Sequence, residues 1–147
     1  MQMVIERAAE VTDELFLAIR SLVPQLGPGK SAPTRLELES LIRSDSSILL
    51  LARPAGKNNP IAGILTLAIY RVPTGIRSIV EDVIVDEKFR RLGIAEALLK
   101  KAVEIARDSG AGNVSLSANP AREAAHQLYQ KLGFIRRDSF FYIHYLK

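Results

Sequence analysis

The sequence predicts an α/β (α+β) domain built on one mixed, mostly antiparallel twisted sheet of about six to seven strands, flanked by about four helices. Three observations carry that expectation. Between Ser47 and Asp86 lie three strand-like apolar runs separated by turn signals, the pattern of an antiparallel meander. After them, Leu92–Asp108 puts Leu92, Ala95, Leu99, Ala102, Val103 and Ala106 on one helical stripe. The chain has 147 residues, enough for one ordinary core and too few for two comfortable ones, so a single domain over residues 1–147 is expected.

Taken in order, Met3–Arg7 is short, apolar and β-branched, and suits a first strand. Val11–Leu26 carries Leu15, Phe16, Ile19, Leu22 and Val23 at helical spacing, with Thr12 or Asp13 able to cap its start. Gly27–Pro33 is a loop by its Gly and Pro content, and Thr34–Arg43 a second helix burying Leu38, Leu41 and Ile42. Ser47–Arg53, Ile61–Val72 and Ile76–Asp86 form the meander. Gly110 and Gly112 end the long helix. Asn113–Ser117 is then a short buried strand, Ala121–Leu132 a helix, and Phe134–Arg137 with Phe140–Leu146 closing strands. A helical crossover between the strand before Arg90 and the one at Val114 makes those two strands parallel.

Composition removes several function classes. With 48% apolar and 24% charged residues the chain has the balance of a soluble globular protein, and no run approaches the length of a membrane span. The start, MQMVIERAAE, does not read as a signal peptide. Zero cysteines exclude disulfides, thiolate metal sites and cysteine nucleophiles, and His126 and His144 are too few for a His-rich site. A cytoplasmic protein without a metal is expected. The net charge of +4 favours anionic partners in general, but the Lys and Arg residues are spread out, with no basic run of the kind that reads as nucleic-acid binding.

The most informative stretch is Glu81–Leu99, EDVIVDEKFRRLGIAEALL, where a strand runs directly into a helix with Gly93 in the first turn. The first N–H groups of a helix lack internal partners and sit at the positive end of its dipole. Together they make a phosphate cradle, and a glycine lets an anion come close to the backbone. The competing reading is a plain strand-to-helix turn with a glycine needed for packing.

Arg90-Arg91-Leu92-Gly93-Ile94-Ala95 matches Arg/Gln-x-x-Gly-x-Gly/Ala, the signature of the GNAT N-acetyltransferase superfamily, which this chain resembles. Asn119, Ala125 and Leu128-Tyr129-Gln130-Lys131-Leu132-Gly133-Phe134 are similar to a second element of that family. The resemblance covers about Ile61 to Phe134. It implies acetyl-CoA as cosubstrate, and two parallel central strands, ending near Val85 and Ser117, that splay apart to admit it. Backbone groups of Val83, Ile84 and Val85 would hold the acetyl carbonyl and pantetheine arm. The amides of Arg91, Leu92, Gly93, Ile94, Ala95 and Glu96 would bind the pyrophosphate, with Arg90 alongside. Asn119 would meet the pantetheine and Tyr129 would sit near the thioester sulfur. Apart from the resemblance, Arg122 and Lys131 could approach the 3′-phosphate, although cations on a helix surface are usually just solvated. A homodimer through the late strands is a further expectation from the resemblance.

The reaction so implied is direct attack of a neutral amine on the thioester, which requires loss of an ammonium proton. Strand alternation places Glu81, Val83 and Val85 on one face and Asp82 and Ile84 on the other. Glu81 is the preferred base, directly or through water, with Asp82 the second candidate; EDVIVD resembles the glucosamine-phosphate N-acetyltransferase branch. Tyr129 could protonate the departing thiolate, although Ala125, Leu128, Tyr129 and Leu132 also share the spacing of a packed helix face. Asn119 followed by Pro120 likewise resembles a helix cap. Three readings stay open: an acetyltransferase acting on the primary amine of a small molecule, one acting on a protein or peptide lysine or N-terminus, and a non-catalytic CoA-binding module.

Overall fold

The computed structural model describes residues 2–146 and resolves two compact units, Met1–Ser117 and Ala118–Lys147. In the first unit, five strands form one sheet in sequence order: β1 (Met3–Arg7), β2 (Ser47–Pro54), β3 (Gly63–Val72), β4 (Gly75–Val85) and β5 (Val114–Ser115). All neighbours are antiparallel except β4 and β5, the parallel pair that the crossover requires.

Local chemistry sets the helix bounds. Helix α1 (Asp13–Leu22) begins where Thr12 accepts a hydrogen bond from the Leu15 N–H at 3.1 Å. It stops short of the expected Leu26. Pro24 has no N–H to offer the Arg20 carbonyl, and the chain tightens into a 3-10 turn over Val23–Leu26. Helix α2 (Arg35–Arg43) starts on a capping box: Thr34 accepts from Glu37 N–H, and the Glu37 carboxylate accepts from Thr34 N–H. That bond and the Thr34 hydroxyl hold Glu37 below its ordinary pKa. Helix α3 (Ile94–Asp108) ends at Gly110, whose φ of 83° is the left-handed C-terminal stop.

The helices cover both faces of the sheet. Leu15, Ile19, Leu22 and Leu38 of α1 and α2 pack with Leu49, Leu51, Ile64 and Ile84. On the other face α3 buries Ile94, Leu98, Leu99, Ala102 and Ala106. Gly63 sits there because a Cβ would stand 2.9 Å from Ile94 Cγ2 and 3.1 Å from the Ile84 carbonyl. Strand β2, buried from Ile48 to Ala52, is apolar throughout as a strand covered on two sides must be. Each such leucine contributes about 2 kcal/mol on removal from water. At the end of β2, Arg53 pairs with Glu6 at 3.1 Å and Glu14 at 2.9 Å, and donates to the Asn59 carbonyl at 3.1 Å, joining β1, α1 and the following loop.

One irregularity matters for the site. Ile64 pairs with Ile84, but two residues on, Thr66 pairs with Glu81 rather than Asp82, so β4 holds one extra residue there. This β-bulge lies at Asp82, with φ of 49°. The extra residue breaks the alternation expected across Glu81–Val85. Directly paired residues share a face, so Glu81 lies on the α1/α2 side together with Ile84, and not with Val85, which pairs with Gly63 on the α3 side.

The second unit holds α4 (Glu123–Lys131), and the described residues after Gly133 carry no regular secondary structure. Phe134–Arg137 and Phe140–Leu146, expected as closing strands, carry no strand, so the described residues give a five-stranded sheet. A strand exists only through a backbone ladder, and among the described residues neither run forms one. Among the described residues no helix is long and apolar enough to cross a membrane.

Candidate active site

Strand β4 and the turn after it form the centre of the site. The parallel ladder with β5 consists of Ser78↔Val114 and Ile79↔Ser115. It is fastened by the buried Ser78 hydroxyl, which donates to the Asn113 carbonyl at 2.7 Å, and by Gly112 N–H to the Ile76 carbonyl at 2.9 Å. Beyond that ladder, Val80–Val85 continue with β3 on one edge and no strand partner on the other among the described residues. The parallel ladder thus stops at Ile79 and Ser115, short of the strand ends expected near Val85 and Ser117. The open edge of β4 offers backbone donors and acceptors to an extended, amide-containing ligand.

The turn that follows is built to a fixed shape. Asp86 N–H donates to Ala62 O at 2.8 Å, and Phe89 N–H to Asp86 O at 2.8 Å. The Asp86 carboxylate accepts from Lys88 N–H at 3.0 Å, and the Gln25 side-chain oxygen accepts from Glu87 N–H at 3.0 Å. Arg90 then folds back, its Nε donating to Val85 O at 3.2 Å. From here the pattern reverses. Among the described residues, no hydrogen bond is donated by the backbone N–H of Arg91, Leu92, Gly93, Ile94 or Ala95. Arg91 has φ of 66° and Gly93 φ of 82°. Alternating left- and right-handed residues at a helix start turn successive N–H groups into a concave anion nest.

Gly93 decides between the two readings of this turn. A Cβ there would meet nothing within 4 Å, so packing does not demand a glycine. Its left-handed backbone does, and the space above the amides is open. These residues fit a diphosphate. Leu92 is partly exposed, Ile94 is buried under the sheet, and Ala95 and Glu96 lie half-buried in the first turn of α3.

On β4, Val83 and Val85 are half-buried, Ile84 is in the core, and Glu81 and Asp82 are exposed. The structure therefore brings Glu81, Asp82, the open β4 edge and the amide nest onto one continuous strand–turn–helix. In the second unit, Asn119 Oδ1 accepts from Ala121 N–H at 2.9 Å, an Asx turn, and the Asn119 carbonyl accepts from Arg122 N–H at 3.0 Å. Helix α4 consequently starts at Glu123, with Arg122 in the cap position, rather than at Ala121. Tyr129 is half-buried, its ring edge-on to Phe134 at 6.0 Å and to His126 at 6.5 Å between centroids. The His126 ring also bonds the Asn119 carbonyl at 2.9 Å, so it is a brace of this unit as well as a partly exposed side chain.

Two contributors escaped the sequence reading. Gln25 carries no motif, and only the fold brings it to Glu87. Asp86 closes the apolar run Ile76–Asp86 in the sequence, and its position just before a 3-10 turn is an Asx-cap signal for its role.

Residues 13–134 match the model of the Acetyltransferase (GNAT) family. Human N-acetyltransferase 8 is 38% identical over 58 residues, a segment covering 40% of this chain and 26% of that protein. Among solved structures, an aminoglycoside acetyltransferase, meta-AAC0020, from an uncultured soil metagenomic sample in complex with trehalose is 19% identical. It superposes with a TM-score of 0.79 over 99% of this chain and 96% of its own. AAC(6')-Iy, in complex with the bisubstrate analogue CoA-S-monomethyl-acetylneamine, is 20% identical with a TM-score of 0.75 over 99% of this chain and 100% of its own.

Proposed function

Because this chain belongs to the GNAT family of acetyltransferases, we propose that it transfers the acetyl group of acetyl-CoA to the primary amine of a small molecule. The observation that carries this is the row of unbonded amides at Arg91–Ala95 under an open Gly93, continuous with the unpaired edge of β4. A diphosphate with an amide-bearing arm needs those two features side by side, and here the β4 edge leads into the nest within a few residues. The small-molecule acceptor is supported by the similarity to aminoglycoside acetyltransferases.

When bound, acetyl-CoA supplies an activated acyl thioester. The nest amides and Arg90–Arg91 neutralise the diphosphate, and Val83, Ile84 and Val85 offer backbone groups to the pantetheine amides. Asn119, from the family resemblance alone, and Arg122, for its charge, are proposed as further cofactor-binding residues. Glu81, exposed on the α1/α2 side of β4, takes the proton from the incoming ammonium directly or through water. A backbone N–H near the bulge, at Val83 or Ile84, is our candidate for stabilising the carbonyl oxygen as it gains charge. Tyr129 returns a proton to the departing thiolate.

Calorimetry tests the binding half and a thioester-consumption screen over amino sugars, amino acids, polyamines and short peptides tests the acceptor. Micromolar or tighter binding of acetyl-CoA with turnover on a small amine is expected. Absence of binding removes the reading, and turnover confined to peptides replaces its acceptor. Glu81→Gln is expected to abolish the rising limb of the pH–rate profile or move it upward; an unaltered profile transfers the base role to Asp82 or water.

A further inference from the structure

The 3-10 turn Val23–Leu26 places one side chain across the fold, sixty-two residues along the chain from its partner. Gln25 Nε2 donates to the Ser21 carbonyl at 3.2 Å, and Gln25 Oε1 accepts from the Glu87 N–H at 3.0 Å. The two bonds fix which way the carboxamide faces, since a carbonyl can only accept and an N–H can only donate. Glu87 opens the turn Glu87–Phe89 that leads from β4 to the amide nest. Within that turn, Lys88 N–H and Phe89 N–H are both satisfied by Asp86, whereas Glu87 N–H is satisfied from α1's extension. The turn is thus held from inside by one aspartate and from outside by one glutamine.

We propose that Gln25 is a positioning residue for the cofactor: its carboxamide fixes the Glu87–Phe89 turn, and through it the amides at Arg91–Ala95 that grip the diphosphate. This inference rests on the acetyl-CoA reading above. Gln25 touches no reacting atom. It acts by holding the nest in its binding shape before the ligand arrives, so that binding does not have to order the turn. Its bond also ties the Gly27–Pro33 loop, which begins two residues later, to the phosphate-binding end of the molecule.

The test compares the parent with Gln25→Ala and Gln25→Met, the second keeping the length of the stem without either hydrogen bond. Of the two bonds lost, only the one to Glu87 N–H bears on the turn. Its loss corresponds to about fivefold in affinity, so both variants are expected to bind coenzyme A about fivefold more weakly. Binding of acetyl-pantetheine, which lacks the diphosphate, should be unchanged. At saturating acetyl-CoA, kcat should equal the parent's while KM for acetyl-CoA rises. Amide hydrogen exchange at Glu87 should quicken in both variants, and Gln25→Glu, which retains an acceptor, should restore its protection. Equal coenzyme A affinity in parent and variants overturns the inference alone. Equal weakening of coenzyme A and acetyl-pantetheine also overturns it, because the effect would then be general. A parent that binds no coenzyme A overturns the functional reading and this inference with it.

Discussion

Replacing Gly93 separates a glycine kept for its backbone from one kept for its ligand. At φ of 82°, an alanine pays the left-handed penalty of about 1–2 kcal/mol, and nothing else, because its methyl would meet no protein atom within 4 Å. Asparagine visits this region far more readily, so Gly93→Asn should cost only a fraction of that in stability. Both side chains, however, would take up open space next to the amides of the nest. If a diphosphate sits there, each variant forfeits at least one charge-assisted hydrogen bond, about 1.5–3 kcal/mol, or roughly ten- to a hundredfold in affinity. Urea unfolding measures the first quantity and calorimetry with coenzyme A the second. The expected signature is a dissociation: Gly93→Asn keeps most of its stability and loses most of its binding. Parent-like affinity in Gly93→Asn would refute the nest as the diphosphate site.

Two further outcomes follow from the same geometry. Tyr129→Phe keeps the edge-on ring contacts with Phe134 and His126, so its thermal midpoint should stay near the parent's while kcat falls more than coenzyme A affinity; unchanged kcat would make Tyr129 a packing residue. Glu14 is held below its ordinary pKa chiefly by the hydrogen bond from Arg53, so its stabilisation is present above the unfolded carboxylate range and is lost as pH falls through the folded pKa. Glu14→Gln should therefore lower stability by up to about 1 kcal/mol near pH 7, as expected of a largely exposed pair, and reduce the loss of stability on acidification below about pH 4.

How much of this was legible in the residues depends on the range of the interaction. Met3–Arg7 and the stripe of α3 are local patterns, and Met3–Arg7 forms where its pattern lies. Helix α3 has its expected end at Asp108 but starts at Ile94 rather than Leu92, and it buries Ile94 and Leu98 where Leu92 was expected to be buried. The nest was legible because its requirements, a strand, a turn and a left-handed glycine, are contiguous. The end of α1 was legible in principle, since Pro24 forbids the continuation that the apolar spacing suggests. The closing strands were not, because an alternating apolar run names a strand without naming its partner. Gln25 was illegible for the same reason: its acceptor role depends on a backbone amide brought to it only by the fold.

Asp82 is the instructive intermediate case, and it yields a sharp test. Aspartate is depleted inside strands and enriched in left-handed backbone, so its place between Glu81 and Val83 was a signal for a bulge that the alternation argument ignored. At φ of 49° it bears a strain that glycine would not. Asp82→Ala should therefore destabilise by about 1 kcal/mol. Asp82→Gly should stay within roughly 0.5 kcal/mol of the parent, since relief of strain offsets the greater freedom of glycine in the unfolded chain. Both substitutions delete the same carboxylate. Equal losses of turnover would mean that the carboxylate takes part in proton transfer beside Glu81. A loss confined to Asp82→Ala would mean that the bulge itself, by turning the β4 backbone toward the thioester, is what the enzyme needs. An Asp82→Gly variant no more stable than Asp82→Ala would refute the left-handed conformation of residue 82.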